Sequence, residues 1–420
     1  MQSVAGHRLE NETGREAGAK VVRSAARNAP FGRSPQMGRS LMIGRGLTGL
    51  SLALLLAGCG SWNPFSKAPP DAPLALVEFK SSMNPKVAWT YSIGKAGLAA
   101  FAPVVAGNSV YVAAADGSLA RLDSASGKAQ WRINVGSPLG AGVGSDGENV
   151  AVVSSKGLLM TFDGSGKLRW KEQLPSEVLS PPAVGDGMVV VRSGDNRISA
   201  YDAQTGTRRW SSLRTIPPLV LHGSPGIVID SGIVYVAQPG GKLLALSGIN
   251  GGARWESIVA DPKGTTELER VADVVGRPVL VGHEICATAY QGRLSCFDAG
   301  NGVVRWGKDW SSYTGPAVDE RFVFAVDTKS VISGFAREAG QSVWRNEKLL
   351  YRQLSTPISL GRAVVVGDYK GFLHFLGRED GAFLARLSTD GSPMVGSPVL
   401  AGDRAIFQTQ GGTVLAVATE

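Results

Sequence analysis

Three cysteines and four histidines hold most of the reactive chemistry that this 420-residue sequence could offer. Cys286 and Cys296 flank the short stretch Tyr290-Gln291-Gly292-Arg293, which reads as a hairpin turn. A three-residue loop with a glycine bulge sets the two thiols directly opposite each other; a two-residue loop puts them on opposite faces. An oxidising compartment favours a disulfide between them, with two free buried thiols as the alternative. The histidines (His7, His222, His283 and His374) fall at intervals that match no metal-ligand spacing. Acids recur at one position of a repeat, as Asp123, Asp163, Asp202 and Asp298. A carboxylate that ends a strand in unit after unit is suited to bonding backbone in the next turn rather than to acid–base work. No Ser/His/Asp arrangement stands out, so no catalytic residue, metal or cofactor is expected.

The third cysteine belongs to a different kind of segment. Arg39 and Arg45 precede an apolar run over residues 47–56, which ends in Leu56-Ala57-Gly58-Cys59. A charged start, a short apolar core and small residues before a cleavage point make a signal peptide. The run is too short to remain as a membrane span. Leu-Ala-Gly-Cys resembles a lipobox, in which the cysteine thiol takes a diacylglycerol and the freed amine becomes the mature N-terminus. Residues 1–58 are therefore read as a signal region and Cys59 as the lipidation site. Met37 or Met42 would give a leader of ordinary length, so residues 1–36 are an over-long start in this reading. Gly60 stands where an inner-membrane retention signal would place Asp. By resemblance to sorted lipoproteins this points to the outer membrane, facing the periplasm. Residues 59–84, rich in Pro, Ser and Ala, are expected to form a tether.

The formal charge of +8 invites a polyanion as partner, but its distribution argues otherwise. Residues 1–58 hold eight Lys/Arg against three Glu, which leaves +3 for everything after them. That body has no electrostatic footprint for nucleic acid.

What positions the remaining residues is a repeat. A Gly followed four residues later by Trp occurs at Gly127/Trp131, Gly166/Trp170, Gly206/Trp210, Gly251/Trp255, Gly302/Trp306 and Gly340/Trp344. Gly381 opens a seventh copy with Ala385 in the Trp place, and an eighth runs from Pro398 to the end. Each unit has a Pro-led opening, an apolar strand such as Val110-Tyr111-Val112, a Gly turn, an alternating strand and the Trp strand. Four short strands in roughly 40–45 residues make a propeller blade. The eighth copy lacks a Trp strand, and an orphan one, Val87-Ala88-Trp89-Thr90-Tyr91, lies at the other end. Pairing them closes an all-β, eight-bladed propeller over residues 85–420 and removes both open edges; one mis-parsed unit would leave seven blades. The six repeated Trp are assigned to packing between blades.

The repeat resembles the quinoprotein-type propeller repeat of pyrroloquinoline quinone dehydrogenases and of the BamB family. Resemblance to the BamB family covers the lipobox, the Pro-containing tether and all the repeats. It implies a non-catalytic accessory of the outer-membrane β-barrel assembly machinery that docks on the POTRA repeats of BamA. Other machinery subunits, outer-membrane lipid through acylated Cys59, and unfolded outer-membrane proteins are the further partners it implies. Two connections between Trp strands and the next units are enlarged, residues 211–224 and 256–277, and alternation of the chain puts both on one face. They match the family's contact segments at Leu219, Leu221, His222, Arg270 and Asp273. His222 stands where Arg is expected, and Val275 replaces a second acid. A quinoprotein dehydrogenase is the enzymatic alternative, against which stand the short chain and the lack of adjacent cysteines; an envelope ligand-binding propeller is the other.

Overall fold

A turn glycine four residues before a tryptophan marks a contact between neighbouring units. The computed structural model describes residues 71–97, 101–221, 223, 225–394 and 396–419. Among these residues there are thirty-two strands in eight four-stranded antiparallel sheets. Seven sheets are sequential blades, beginning with Val104–Ala106, Ser109–Ala113, Ser118–Asp123 and Ala129–Asn134. The eighth takes Val399–Ala401, Arg404–Gln408 and Thr413–Ala418 from one end of the chain and Lys86–Ser92 from the other. Lys86 faces Ala418 and Ser92 faces Thr413, so the orphan strand closes the ring in antiparallel register.

Burial follows from this stacking. The second strand of a blade has neighbours on both faces, and Ser109–Ala113, Phe322–Val326 and Ala363–Gly367 are buried at every residue. Outer strands such as Ala129–Asn134 are largely exposed. The acids at the ends of third strands bond the following turn: Ser126 N–H donates to Asp123 at 2.8 Å and Ser165 N–H to Asp163 at 2.9 Å. Hydrogen bonds from Arg209 and from Thr205 hold the Asp202 carboxyl down at about 2.

Each tryptophan packs on the next blade. The indole N–H of Trp210 donates to Gly248 C=O at 2.8 Å, and a Cβ on Gly251 would lie 2.6 Å from that ring. Gly251 also has φ +70°, which a side chain would strain. The same pair recurs from Trp89 and Gly127 to Trp344 and Gly381, seven times around the ring. Trp89, in the orphan strand, is thus a seventh member beyond the six repeated ones.

The joint between blades seven and eight differs. Blade eight has no covalent turn between its third and fourth strands, hence no glycine to receive an indole. Ala385 stands in the tryptophan place, and buried Met83 packs beside it with Phe375, Leu360 and Val417. Met83 belongs to residues 59–84, expected to form a tether, and the described part of that segment is packed on the propeller. From Leu74 the chain is docked on the propeller, and from Val77 to Ser82 it follows the outer strand of blade seven, Phe383–Ser388. Phe79 stacks on Phe383 at 5.1 Å between centroids, and Ser82 N–H donates to Leu384 C=O. Arg386 donates to Val77 C=O, Arg352 to Leu74 C=O, and Leu74 N–H to Leu350 C=O. A strand edge without its tryptophan leaves room for this segment. Residues 1–58, Cys59 and His222 lie outside the described residues.

Beneath the docked segment is a buried polar cluster. Asp368 accepts from Arg352 at 2.6 Å and pairs with His374 Nε2 at 3.0 Å, all three side chains being buried. Burial lowers the His374 pKa and outweighs the pull of Asp368 in the other direction. Burial alone would raise Asp368, but hydrogen bonds from His374, Phe372 and Arg352 bring it below the ordinary value.

In blade five Cys286 and Cys296 face each other across the two middle strands, with their sulfurs bonded. Ala289 N–H donates to Arg293 C=O, leaving a three-residue loop, Tyr290 to Gly292. Its left-handed residue is Gln291 (φ +46°) rather than the glycine.

Candidate functional site

In an antiparallel four-stranded blade, the connection to the next blade leaves on the same face as the turn between the middle strands. Two of these connections are long. One joins Arg208–Leu213 of blade three to Ile227–Asp230 of blade four, and the other joins Ala253–Ile258 to Val279–Val281 of blade five. They are adjacent on one face.

The second connection has two unlike halves. Residues 261–270 are exposed throughout, while the apolar stretch from Val271 to Val275 is buried. The buried half is wedged between the middle turns of blades four and five. Val274 N–H donates to Gln238 C=O at 3.3 Å, and Tyr290 N–H to Asp273 C=O at 2.8 Å. Asp273 ties the whole face together. One carboxylate oxygen accepts from Leu221 N–H at 2.6 Å, and the other from Gly240 N–H at 2.8 Å. Its side chain is 4 % exposed. Burial lowers Arg192 nearby to a pKa of about 10, with the Asp273 charge acting against that loss.

These positions revise the expected contact set. Leu219 is 40 % exposed and available to a partner. Leu221 is half-buried and lines the central channel. Arg270 is exposed, but it donates to Glu267 at 3.3 Å and to the Gly264 carbonyl within its own loop. Asp273 is corrected from a surface acid to an internal brace, because both its oxygens are occupied by backbone N–H groups from two other segments. Glu269 braces the exposed half similarly. Its carboxylate accepts from the Thr265 and Thr266 N–H groups, and the Thr266 and Thr265 bonds hold its pKa at about 2.

A family model described as "Outer membrane protein assembly factor BamB" matches residues 81–138, 116–346 and 328–420. The chain belongs to the BamB family. A BamB of Bordetella pertussis is 42 % identical over 92 % of this chain and 99 % of its own length. One from Burkholderia pseudomallei is 44 % identical over 86 % of this chain and 94 % of that protein. The crystal structure of BamB from Moraxella catarrhalis, 23 % identical, superposes with a TM-score of 0.73 over 80 % of this chain and all of that one. At that identity the likeness speaks for the fold.

On this chain the face holds more apolar surface than its sequence motifs single out. Leu268 is 71 % exposed at the tip of the second connection, and Gln291 of blade five donates to its carbonyl at 3.4 Å. Next to it Tyr290 and Tyr313 stack at 5.0 Å, Tyr313 being 56 % exposed. The signal for Leu268 was its place as the lone large apolar residue in a stretch of ten, DPKGTTELER. Nothing in sequence pairs the tyrosines: Tyr290 lies in the middle turn of blade five and Tyr313 in the connection from blade five to blade six.

Proposed function

We propose that this chain is a non-catalytic scaffold in the assembly of outer-membrane β-barrel proteins, and that it receives the POTRA region of BamA on the loop face. Family membership supports the general role. The contact reading rests on one observation: two long connections, braced together by Asp273, present Leu219 and Leu268 to solvent. Exposed apolar residues on two braced loops of one face favour a protein partner. Arg270 belongs to the rim, where an already-paired charge contributes little. Acylated Cys59 would hold the chain at the outer membrane on its periplasmic side, with unfolded barrel proteins and other machinery subunits as further partners. A dehydrogenase reading has no residue-level support, since Cys286 and Cys296 are bonded across a hairpin and are not a vicinal pair.

The test is co-purification with the BamA POTRA region. Leu219→Ala with Leu268→Ala should weaken the complex by about 2 kcal/mol or more, roughly thirtyfold, while Arg270→Ala has a small effect. The double variant should keep its circular dichroism, because neither side chain is buried. Wild-type recovery of BamA by a folded double variant would place the contact elsewhere.

A further inference from the structure

The ring of blades encloses a channel of about 1020 Å³. Its wall is made by the innermost strands, and each of these is hydrogen-bonded on one side only. Their other edges, with alternate N–H and C=O groups, face the lumen.

Registering the inner strands on their partners aligns eight equivalent positions at the lip of the channel on the loop face. From Val104↔Tyr111, Gly144↔Ala151, Ala183↔Val190, Val228↔Tyr235, Val279↔Cys286, Ala317↔Phe324, Ile358↔Val365 and Val399↔Ile406, the position two residues earlier is found in each blade. It is Ala102, Gly142, Pro181, Gly226, Arg277, Gly315, Thr356 and Ser397. Seven are small and uncharged. The eighth is arginine.

Arg277 is accommodated by its neighbours. A Cβ on Gly226 would come within 2.5 Å of the Arg277 Cβ and Cγ, and one on Gly315 within 2.6 Å of its carbonyl oxygen. Gly226 thus makes room for the Arg277 side chain, while Gly315 on the other flank accommodates the backbone of residue 277. Its guanidinium has no hydrogen-bond or ion-pair partner among the described residues. The other charged residues of the lining, Asp319, Glu320 and Arg378, come from the opposite mouth, where Arg378 pairs with Asp319 at 3.3 Å. On this side the lining is mainly apolar, with Leu221, Ile227, Val275 and Val279, and Tyr313 and Thr314 add polar groups to it. The Arg277 side chain is exposed to the lumen, and desolvation by the surrounding wall lowers its pKa. A guanidinium without an ion-pair partner that faces a protein-walled channel is a recognition element for an anion.

We propose that the loop-face mouth of the channel binds the free C-terminal carboxylate of an apolar peptide, with Arg277 as its counter-ion and the open edges of the inner strands as partners for the peptide backbone. A single guanidinium with no second cation suits a carboxylate better than a phosphate dianion. An extended peptide can pair the unbonded strand edges, which an acyl chain would leave unsatisfied. The site goes beyond the BamA-docking reading and does not depend on Leu219 or Leu268.

The experiment is fluorescence anisotropy of the purified full-length chain with an N-terminally labelled octapeptide of alternating Ser and Val that ends in Val. The peptide is compared as free acid and as C-terminal amide, with decanoate as competitor. The free acid should bind roughly tenfold tighter than the amide or better, as loss of a charged hydrogen bond implies. Arg277→Gln should bring the acid down to the affinity of the amide, and Arg277→Lys should restore part of the difference. Equal binding of acid and amide to the wild-type chain overturns the proposal, whether or not Arg277→Gln folds. So does an acid preference that survives in folded Arg277→Gln. Binding of decanoate with no binding of the peptide overturns the peptide assignment. Because Leu219→Ala/Leu268→Ala should leave this binding intact, failure here and failure of the docking reading are distinguishable.

Discussion

The joint between blades three and four and the joint between blades seven and eight do the same task with different parts. In the first, Trp210 lies against Gly251 and bonds Gly248, all within the repeat. In the second, Ala385 leaves the place open and Met83, from outside the repeat, fills it. The difference follows from connectivity. An indole needs the turn glycine of the following blade, and the ring closes where that turn does not exist. Seven joints are therefore local to the repeat, and the eighth depends on residues far away in the chain.

Three measurements would break or sharpen this contrast. Trp210→Ala removes a nearly buried indole and its hydrogen bond, and should cost about 3–5 kcal/mol in denaturant unfolding. Met83→Ala at the closing joint should cost less, about 2 kcal/mol, because an unbranched side chain leaves a gap that its neighbours can partly refill. If Met83→Ala matches or exceeds Trp210→Ala, the closing joint is the stronger one and the contrast is reversed. The third is a pH effect confined to the closing region. His374 is neutral and buried, with its folded pKa below its ordinary value of 6.5, and it faces Asp368, Arg352 and Arg386. Glu78 of the docked segment acts on Arg386 as well. The unfolded state therefore binds the proton more readily, so stability is full above about 6.5 and falls as pH drops below it. Depression of Asp368 acts with the same sign at lower pH. Protection of the Leu74 and Ser82 amides, taken relative to the intrinsic exchange rate at each pH, should fall between pH 7 and pH 5 more than protection around Trp210. Equal loss of protection at both joints would contradict the assignment.

What could be read from sequence was whatever the repeat imposes many times over. The Gly–Trp spacing exposed the blades, and the orphan strand around Trp89 exposed the closure. The docked segment was hidden because its partners, Phe383 and Arg386, lie some three hundred residues away and nothing in a Pro- and Ala-containing stretch announces them. Asp273 was misplaced for a related reason. A motif displays an acid, but burial of that acid is decided by Leu221 and Gly240, which no local pattern connects to it. The exposure of Leu219 was legible, since Pro217-Pro218 just before it interrupt any strand pattern. The cysteine pair turned on one unknown, the number of residues in the loop between them.

The docked segment has a mechanical consequence. Any pull on the chain from the N-terminal side of residue 71 first meets the bonds of Leu74 with Leu350 and Arg352, next that of Val77 with Arg386, and last that of Ser82 with Leu384. These open one after another, as a zipper does. The strand from Lys86 to Ser92, whose pairing holds the ring shut, takes the load only after all of them have yielded. A pull from before residue 71 would be spent on the flank of blade seven, and the clasp of the ring would be spared, much as a cable gland spares the connector behind it.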